Sequence, residues 1–238
     1  MRYELFYWPS IQGRGEFIRL ALEQAGAEYV DVARRSESAL MRWLDDERIE
    51  RPPFAPPFLK AGKQVIAQTA NILLFLGARH GLAPRDEAGR LWTHQLQLTM
   101  ADLVTEAHDT HHPISGALYY EDQKPAAKRC AAAFREERMP KYLGYFERVL
   151  ARNPHGSRHL SGNRLSYADL SMFQIMAGLR YAFPRAMKQL TPAYPLLDAL
   201  AARIAELPRI AAYLASKRRL PFSRWDVFRH YRELDAPR

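Results

Sequence analysis

The sequence contains one cysteine, Cys130, among its 238 residues. A single cysteine excludes an intramolecular disulfide and a multi-cysteine zinc site. No run of about 18 uncharged apolar residues is present, as a membrane-spanning helix would require. The N-terminal residues include Glu4, where a signal peptide would be apolar. These absences predict a soluble protein of a reducing compartment, the cytoplasm, without membrane contact.

Acidic residues are also scarce relative to basic ones. The chain has 35 Lys and Arg against 26 Asp and Glu, a formal charge of +9. Basic surfaces attract nucleic acid, but only residues 217–219 form a tight basic run. The charge pattern therefore argues against nucleic-acid binding and favours small anionic substrates.

The first 82 residues alternate between strand and helix patterns. The aromatic run at 3–8 predicts a strand, residues 17–25 have helical periodicity that stops at Gly26, and residues 28–32 predict a second strand. A strand, a helix and a strand in this order predict a right-handed parallel crossover.

A proline-rich segment separates this unit from a second one. Residues 52–57 cannot be helical, because proline lacks the amide donor. Residues 58–60 and 64–67 predict a β-hairpin, and a helix follows from Gln68, ending at Gly77 or Gly81. Together the two units predict a thioredoxin-like domain with a mixed four-stranded sheet, at residues 1–82.

Only helical periodicity follows this domain. The sequence predicts an all-helical domain at residues 88–238, so that the fold class is α/β followed by all-α. The predicted helices span 91–110, 124–150, 167–181, 196–204 and 208–216.

Four short motifs occur in a fixed order along the chain. Tyr7-Trp8-Pro9 precedes Gly13-Arg14; Pro57 stands eleven residues before Gln68-Thr69; Met100-Ala101-Asp102-Leu103 follows; and Ser166-Tyr167-Ala168-Asp169 has the form of a helix capping box. The ordered set resembles the cytosolic glutathione transferases, in particular the tyrosine-dependent alpha, mu, pi and sigma classes.

The resemblance implies that Tyr7 activates the thiol of bound glutathione. A free thiol has a pKa near 8.5, and a hydroxyl that donates to the sulfur favours the thiolate. Arg14, at the following turn, adds positive potential. The turn is one residue longer than in pi-like relatives, which places Ser10 four residues before Arg14, where serine-dependent classes carry their activating hydroxyl. Ser10 is therefore the alternative activator.

The same resemblance assigns residues to the two ends of glutathione. Gln68 and Thr69 would hold the γ-glutamyl carboxylate, since a helix start binds carboxylates, although Thr69 alone also suits a helix N-cap. Asp102 of a second subunit would approach the ammonium group, which implies a homodimer. Trp43 and Arg48 are candidates for the glycine carboxylate, and equally suit a solvated helix face.

Two prolines would lie at the cysteinyl part of glutathione. Pro57 matches the family's cis-proline, and the residue before it normally pairs through its backbone with the cysteinyl group. Here that residue is Pro56, which has no N–H. One hydrogen bond is then missing, which would weaken binding by roughly 1 kcal/mol.

Histidines at 108, 111 and 112 form the remaining motif of chemical interest. His108 and His112 share a helical face at metal-ligand spacing, but the sequence offers no clear third ligand. The pattern favours a place in the electrophile pocket or at a helix end, with no metal bound. Cys130, in an alanine-rich helix, is predicted to be structural.

The sequence thus predicts a homodimeric glutathione transferase. Glutathione is the co-substrate, an apolar electrophile binds between the two domains, and no cofactor is required. Conjugation, peroxide reduction and isomerisation by the same thiolate remain open. The alternative is a non-catalytic ligand-binding or protein-interaction module of the same fold.

Overall fold

The computed structural model describes residues 2–236, so the extreme ends of the two predicted domains, Met1 and residues 237–238, lie outside it. Its sheet contains β1 (Tyr3–Phe6), β2 (Tyr29–Asp31), β3 (Phe58–Ala61) and β4 (Gln64–Ala67), in the order β2-β1-β3-β4. β1 is parallel to β2 and antiparallel to β3, which pairs antiparallel with β4. The predicted mixed four-stranded sheet is confirmed.

Three helices accompany the sheet: α1 (Gly15–Ala25), α2 (Glu37–Leu44) and α3 (Thr69–His80). α1 ends at Gly26 in the left-handed conformation, as predicted. α3 continues past Gly77 to Gly81. A Cβ at Gly77 would lie 2.6 Å from the ring of Tyr167, so this glycine admits a close approach between helices.

The two faces of the sheet bury different side chains. Leu5 and Leu59 belong to the main core with α1 and α3. Phe6 and Phe58 point the other way and pack with Leu40 of α2. Successive strand residues alternate between faces, so the sheet lies between α2 and the α1–α3 pair.

The rest of the described chain contains helices and loops but no strand. Its helices are α4 (Glu87–Asp109), α5 (Lys124–Ala133), α6 (Met139–Ala151), α7 (Tyr167–Ala182), α8 (Pro184–Leu190), α9 (Pro195–Glu206) and α10 (Pro208–Leu214). A π-helical turn at 134–138 joins α5 to α6, where the sequence predicts one helix. None of the helices in residues 2–236 has the length and apolar character needed to cross a bilayer.

The buried helix α7 begins with the predicted capping box. The Asp169 carboxylate accepts hydrogen bonds from the backbone N–H of Ser166 at 2.7 Å and from its hydroxyl at 2.9 Å. It also accepts from the N–H of Leu160 at 2.8 Å. The buried carboxylate therefore satisfies the start of α7 and fixes the preceding loop.

After α10 the chain returns across the helical bundle. Tyr231 stacks on Tyr120 with ring centroids 3.8 Å apart. Phe228 covers Gly178 of α7 so closely that no Cβ fits there. This C-terminal segment, residues 217–236, reaches the turn before α1.

Candidate active site

Tyr7 is the first residue after β1 and is 3% exposed. Its ring lies against the turn before α1, where Gly13 and Gly15 leave room for it. A Cβ at Gly15 would lie 2.6 Å from the ring, and one at Gly13 would overlap the hydroxyl. The glycines of the turn therefore set the position of the tyrosine.

The Tyr7 hydroxyl accepts a hydrogen bond from the backbone N–H of Arg14 at 2.8 Å. Burial raises the pKa of Tyr7 to about 12, although the Arg14 hydrogen bond opposes this shift. The hydroxyl is therefore protonated at neutral pH. Within residues 2–236 its own proton has no acceptor.

Asp226 holds the same turn from the far end of the chain. Its carboxylate is 1% exposed and accepts from the N–H of Gly13 at 2.7 Å, Gln12 at 3.0 Å and Val227 at 2.7 Å. Burial raises the pKa of this carboxyl, while the three N–H donors work in the opposite direction. Sequence reasoning missed Asp226, because no local pattern announces a contact 213 residues away.

Buried side chains support the other side of the turn. Arg19 is fully buried and donates to the Gln12 carbonyl at 3.1 Å and to Asp31 at 2.7 Å. The Gln12 side chain accepts from Gln174 of α7 at 2.8 Å. The turn that packs against Tyr7 is thus fixed to the sheet and to the helical bundle.

A groove of about 470 Å³ lies between the start of α3 and the side of α4. Arg14, Gln68 and Thr69 line it; their contacts with glutathione stay predictions. Arg14 also approaches α4, with Nη2 3.4 Å from the Thr105 hydroxyl. Tyr7 does not line the groove. It is connected to the groove through Arg14, whose backbone N–H donates to the Tyr7 hydroxyl.

The groove contains polar atoms without partners. Gln68 has a left-handed φ of 69°, and α3 begins directly after it at Thr69. The Thr69 hydroxyl is buried and unpaired within residues 2–236, so it is not used as a helix cap there. Across the groove, His94 Nδ1 and Gln97 Oε1 are also buried without partners in the described chain. Sequence reasoning missed these two α4 residues.

Asp102 is exposed on α4. Its neighbours Ala101 and Thr105 line the groove, but Asp102 does not. Its predicted contribution, from a second subunit, stays a prediction.

The predicted cis-proline has the expected peptide geometry, since the Pro56–Pro57 bond is cis. Pro57 is buried and Pro56 is half-buried. The missing amide of Pro56 leaves one backbone donor fewer at this edge of the sheet.

Trp43 and Arg48 occupy different environments. Trp43 lies half-buried in the last turn of α2 and packs against Phe6 and Phe58, with ring centroids 5.8 Å apart in both cases. The Arg48 side chain is 90% exposed and pairs with Asp46 at 2.8 Å. Trp43 therefore has a packing role in this structure, and a glutathione contact for either residue stays a prediction.

Ser10 lies exposed in the turn after Pro9 and makes no hydrogen bond within the described chain. Ser10 and Tyr7 both stand before Arg14 in the sequence, but Ser10 is exposed and Tyr7 is buried. The pKa of the bound glutathione thiol in Tyr7→Phe and in Ser10→Ala distinguishes the two hydroxyls.

The fold and this groove define a class: a thioredoxin-like sheet domain joined to a helical bundle, with a polar site beside their junction. Residues 108–217 match the family model of the glutathione S-transferase C-terminal domain. Glutathione S-transferase P 1 of Xenopus laevis is 29% identical over 222 residues, which cover 91% of this chain and 93% of that protein. A Plasmodium falciparum glutathione S-transferase is 25% identical over 90% of this chain and 96% of its own length.

A solved structure gives the same answer for the fold. The pi-class glutathione S-transferase of Onchocerca volvulus superposes with a TM-score of 0.72 at 22% identity, covering 94% of this chain and 98% of that one. The sequence matches and the fold together confirm the predicted resemblance to the cytosolic glutathione transferases.

Proposed function

We propose that this protein conjugates the thiolate of glutathione to an electrophile, and that Tyr7 activates the thiol. The observation that carries the proposal is the buried Tyr7 hydroxyl, which accepts from the Arg14 N–H and has a proton to donate. A hydroxyl in that state stabilises a thiolate without ionising itself.

In the proposed reaction the glutathione thiol loses its proton to solvent, and Tyr7 donates a hydrogen bond to the resulting thiolate. The sulfur lone pair then forms a bond to an electrophilic carbon, and the leaving group departs with its electron pair. The site contributes a lower thiol pKa and fixed positions for the two reactants. Neither effect needs a cofactor, so glutathione acts only as a co-substrate.

The groove beside α3 suits the γ-glutamyl end of the tripeptide. The Thr69 hydroxyl is unpaired and stands at a helix start, where free N–H groups attract a carboxylate. The Gln97 oxygen faces the same groove and can accept from the ammonium group. Both ends of an amino-acid moiety then find a partner in one cavity.

A homodimer is part of the proposal. Phe54 is 95% exposed, and on α4 Leu91 and Leu98 are 64% and 48% exposed. Leu91 and Leu98 are seven residues apart and so share one face of α4, and a shared exposed apolar face marks an interaction surface. A second copy on α4 would bring Asp102 of the partner subunit toward the groove, as the sequence predicts. For such a dimer we propose a cytoplasmic location.

The alternative is a non-catalytic member of the family that binds ligands or proteins. One observation favours it: Pro56 cannot supply a backbone donor to the cysteinyl group. A site that holds glutathione loosely would keep the fold and lose the reaction.

Retention on immobilised glutathione, followed by an assay with a chlorodinitrobenzene, separates the two functions. We expect retention and turnover. Retention without turnover would favour the binding module, and the absence of both would contradict each proposal.

A further inference from the structure

Three histidines converge where α4 ends. His108 lies in the last turn of α4, and His111 and His112 follow just beyond it. One nitrogen from each imidazole can be chosen so that all three lie within 4.8 Å of one another. His111 joins the pair because the chain turns back after Thr110, with the His111 N–H donating to the His108 carbonyl at 3.2 Å.

Each imidazole has a distinct set of partners. His108 Nδ1 is 3.1 Å from an Asp109 carboxylate oxygen, which leaves Nε2 free. His112 Nδ1 lies 3.2 Å from the Gln123 amide nitrogen. His111 is 1% exposed, and its Nε2 is buried with no partner in residues 2–236. A carboxylate behind one imidazole is a common arrangement around metal-bound histidine.

Burial and two nearby arginines both disfavour the charged form of these imidazoles. Burial lowers the pKa of all three histidines, and that of His111 falls to about 2. Arg229 of the C-terminal segment adds to the shift at each of them, and Arg14 adds to it at His108. Asp109 partly offsets it at His108.

We propose that His108, His111 and His112 bind one divalent transition-metal ion through three imidazole nitrogens. In a tetrahedral zinc site the ligand nitrogens are about 3.3 Å apart. The three imidazole nitrogens here lie within 4.8 Å of one another, so side-chain rotations that bring the rings closer would allow all three to bind one ion. Three imidazoles without a thiolate suit Zn²⁺, Co²⁺, Ni²⁺ or Cu²⁺ better than Mg²⁺ or Ca²⁺.

Three protein ligands leave a fourth position for water or a substrate oxygen. The site lies on the Arg14 side of the bundle, because Arg14 Nη2 is 3.4 Å from the hydroxyl of Thr105, three residues before His108 on α4. Half-buried His108 and His112 leave a route from solvent. Binding itself requires neither glutathione nor Tyr7, so it can be tested whether or not the proposed transferase activity is present.

The test uses the untagged, chelator-treated full chain and Co²⁺, whose tetrahedral complexes absorb visible light. We expect saturation at one Co²⁺ per chain and displacement by Zn²⁺. His108→Gln and His112→Gln should each weaken binding at least about 10-fold. The matched control is His155→Gln, since His155 is exposed and outside the cluster; it should bind like the parent.

His111→Gln removes a buried group, so its fold is checked by circular dichroism, and the two half-buried positions carry the test if it fails to fold. Arg229→Gln should tighten Co²⁺ binding by removing a facing positive charge. No saturable visible band, or equal losses in His155→Gln and His108→Gln, would overturn the proposal.

Discussion

The carboxylate of Asp226 accepts a hydrogen bond from the backbone of Gly13 at 2.7 Å, which joins the end of the chain to the turn that positions Tyr7. The next amide in that turn, from Arg14, donates to the Tyr7 hydroxyl. The C-terminal segment is therefore a structural support of the candidate active site, and its removal should disturb the position of Tyr7.

Asp226→Ala leaves three buried N–H groups without an acceptor, and we expect a loss of about 3 kcal/mol in the free energy of unfolding. The matched control is Asp235→Ala, because Asp235 accepts from the N–H of Arg185 and Ala186 at 2.7 and 3.1 Å. Urea unfolding should show a loss in both variants. Only Asp226→Ala should raise the pKa of the thiol of bound glutathione. Equal thiol pKa values in Asp226→Ala and Asp235→Ala would contradict the role of Asp226 in positioning Tyr7.

Gly15→Ala places a methyl group against the Tyr7 ring. The ring must move, and a displacement of about 1 Å can cost about 100-fold in rate. We expect kcat/KM to fall on that scale while the chain stays folded, since Gly15 lies in a helix where alanine is favoured. Gly116→Ala is the control, because no atom lies within 4 Å of a Cβ there. Unchanged steady-state kinetics in Gly15→Ala would show that the position of Tyr7 does not limit the reaction.

Thr69→Val keeps the shape of the side chain and removes the unpaired hydroxyl. If Thr69 binds the γ-glutamyl carboxylate, glutathione affinity should fall about 10-fold, the value of one lost hydrogen bond to a charged group. Calorimetry measures the affinity, and kcat at saturating glutathione should change little. Thr99→Val serves as the control, since Thr99 bonds only within α4. Parent-like affinity in Thr69→Val would remove Thr69 from the site.

The raised pKa of Tyr7 makes a prediction for alkaline pH. Its pKa is about 12 in the fold, against 10.0 ordinarily, so the stabilising contribution is complete below pH 10 and is lost as the pH rises toward 12. Between pH 9 and pH 11 the parent should lose about 1.4 kcal/mol more than Tyr7→Phe. Denaturant unfolding at both pH values measures this difference. Tyr119→Phe, at a 71% exposed position, should lose as much unfolding free energy between pH 9 and pH 11 as the parent. An equal loss in Tyr7→Phe would mean that Tyr7 ionises normally.

Local patterns predicted much of the fold. The hairpin around Gly62, the end of α1 at Gly26 and the capping box at Ser166 each depend on a few neighbouring residues, so the sequence displays them directly. The helices α2 and α8 were missed because they are short, eight and seven residues, and bury few side chains.

The candidate site was predictable only where a motif marks it. Gln68 and Thr69 line one groove with Arg14, and their binding of glutathione stays a prediction. Sequence spacing did not identify Gln97, Asp226 or His111 as members of these candidate sites. Each reaches its neighbours only when the chain folds.

The most direct test of the account is the pKa of the glutathione thiol bound to the protein, read from thiolate absorbance in the ultraviolet as the pH is varied. We predict a value at least about one unit below the free thiol's 8.5 in the parent, a rise of about one unit or more in Tyr7→Phe, and no change in Ser10→Ala. A thiol pKa that is unaltered in Tyr7→Phe but raised in Ser10→Ala would contradict the central claim and assign activation to Ser10.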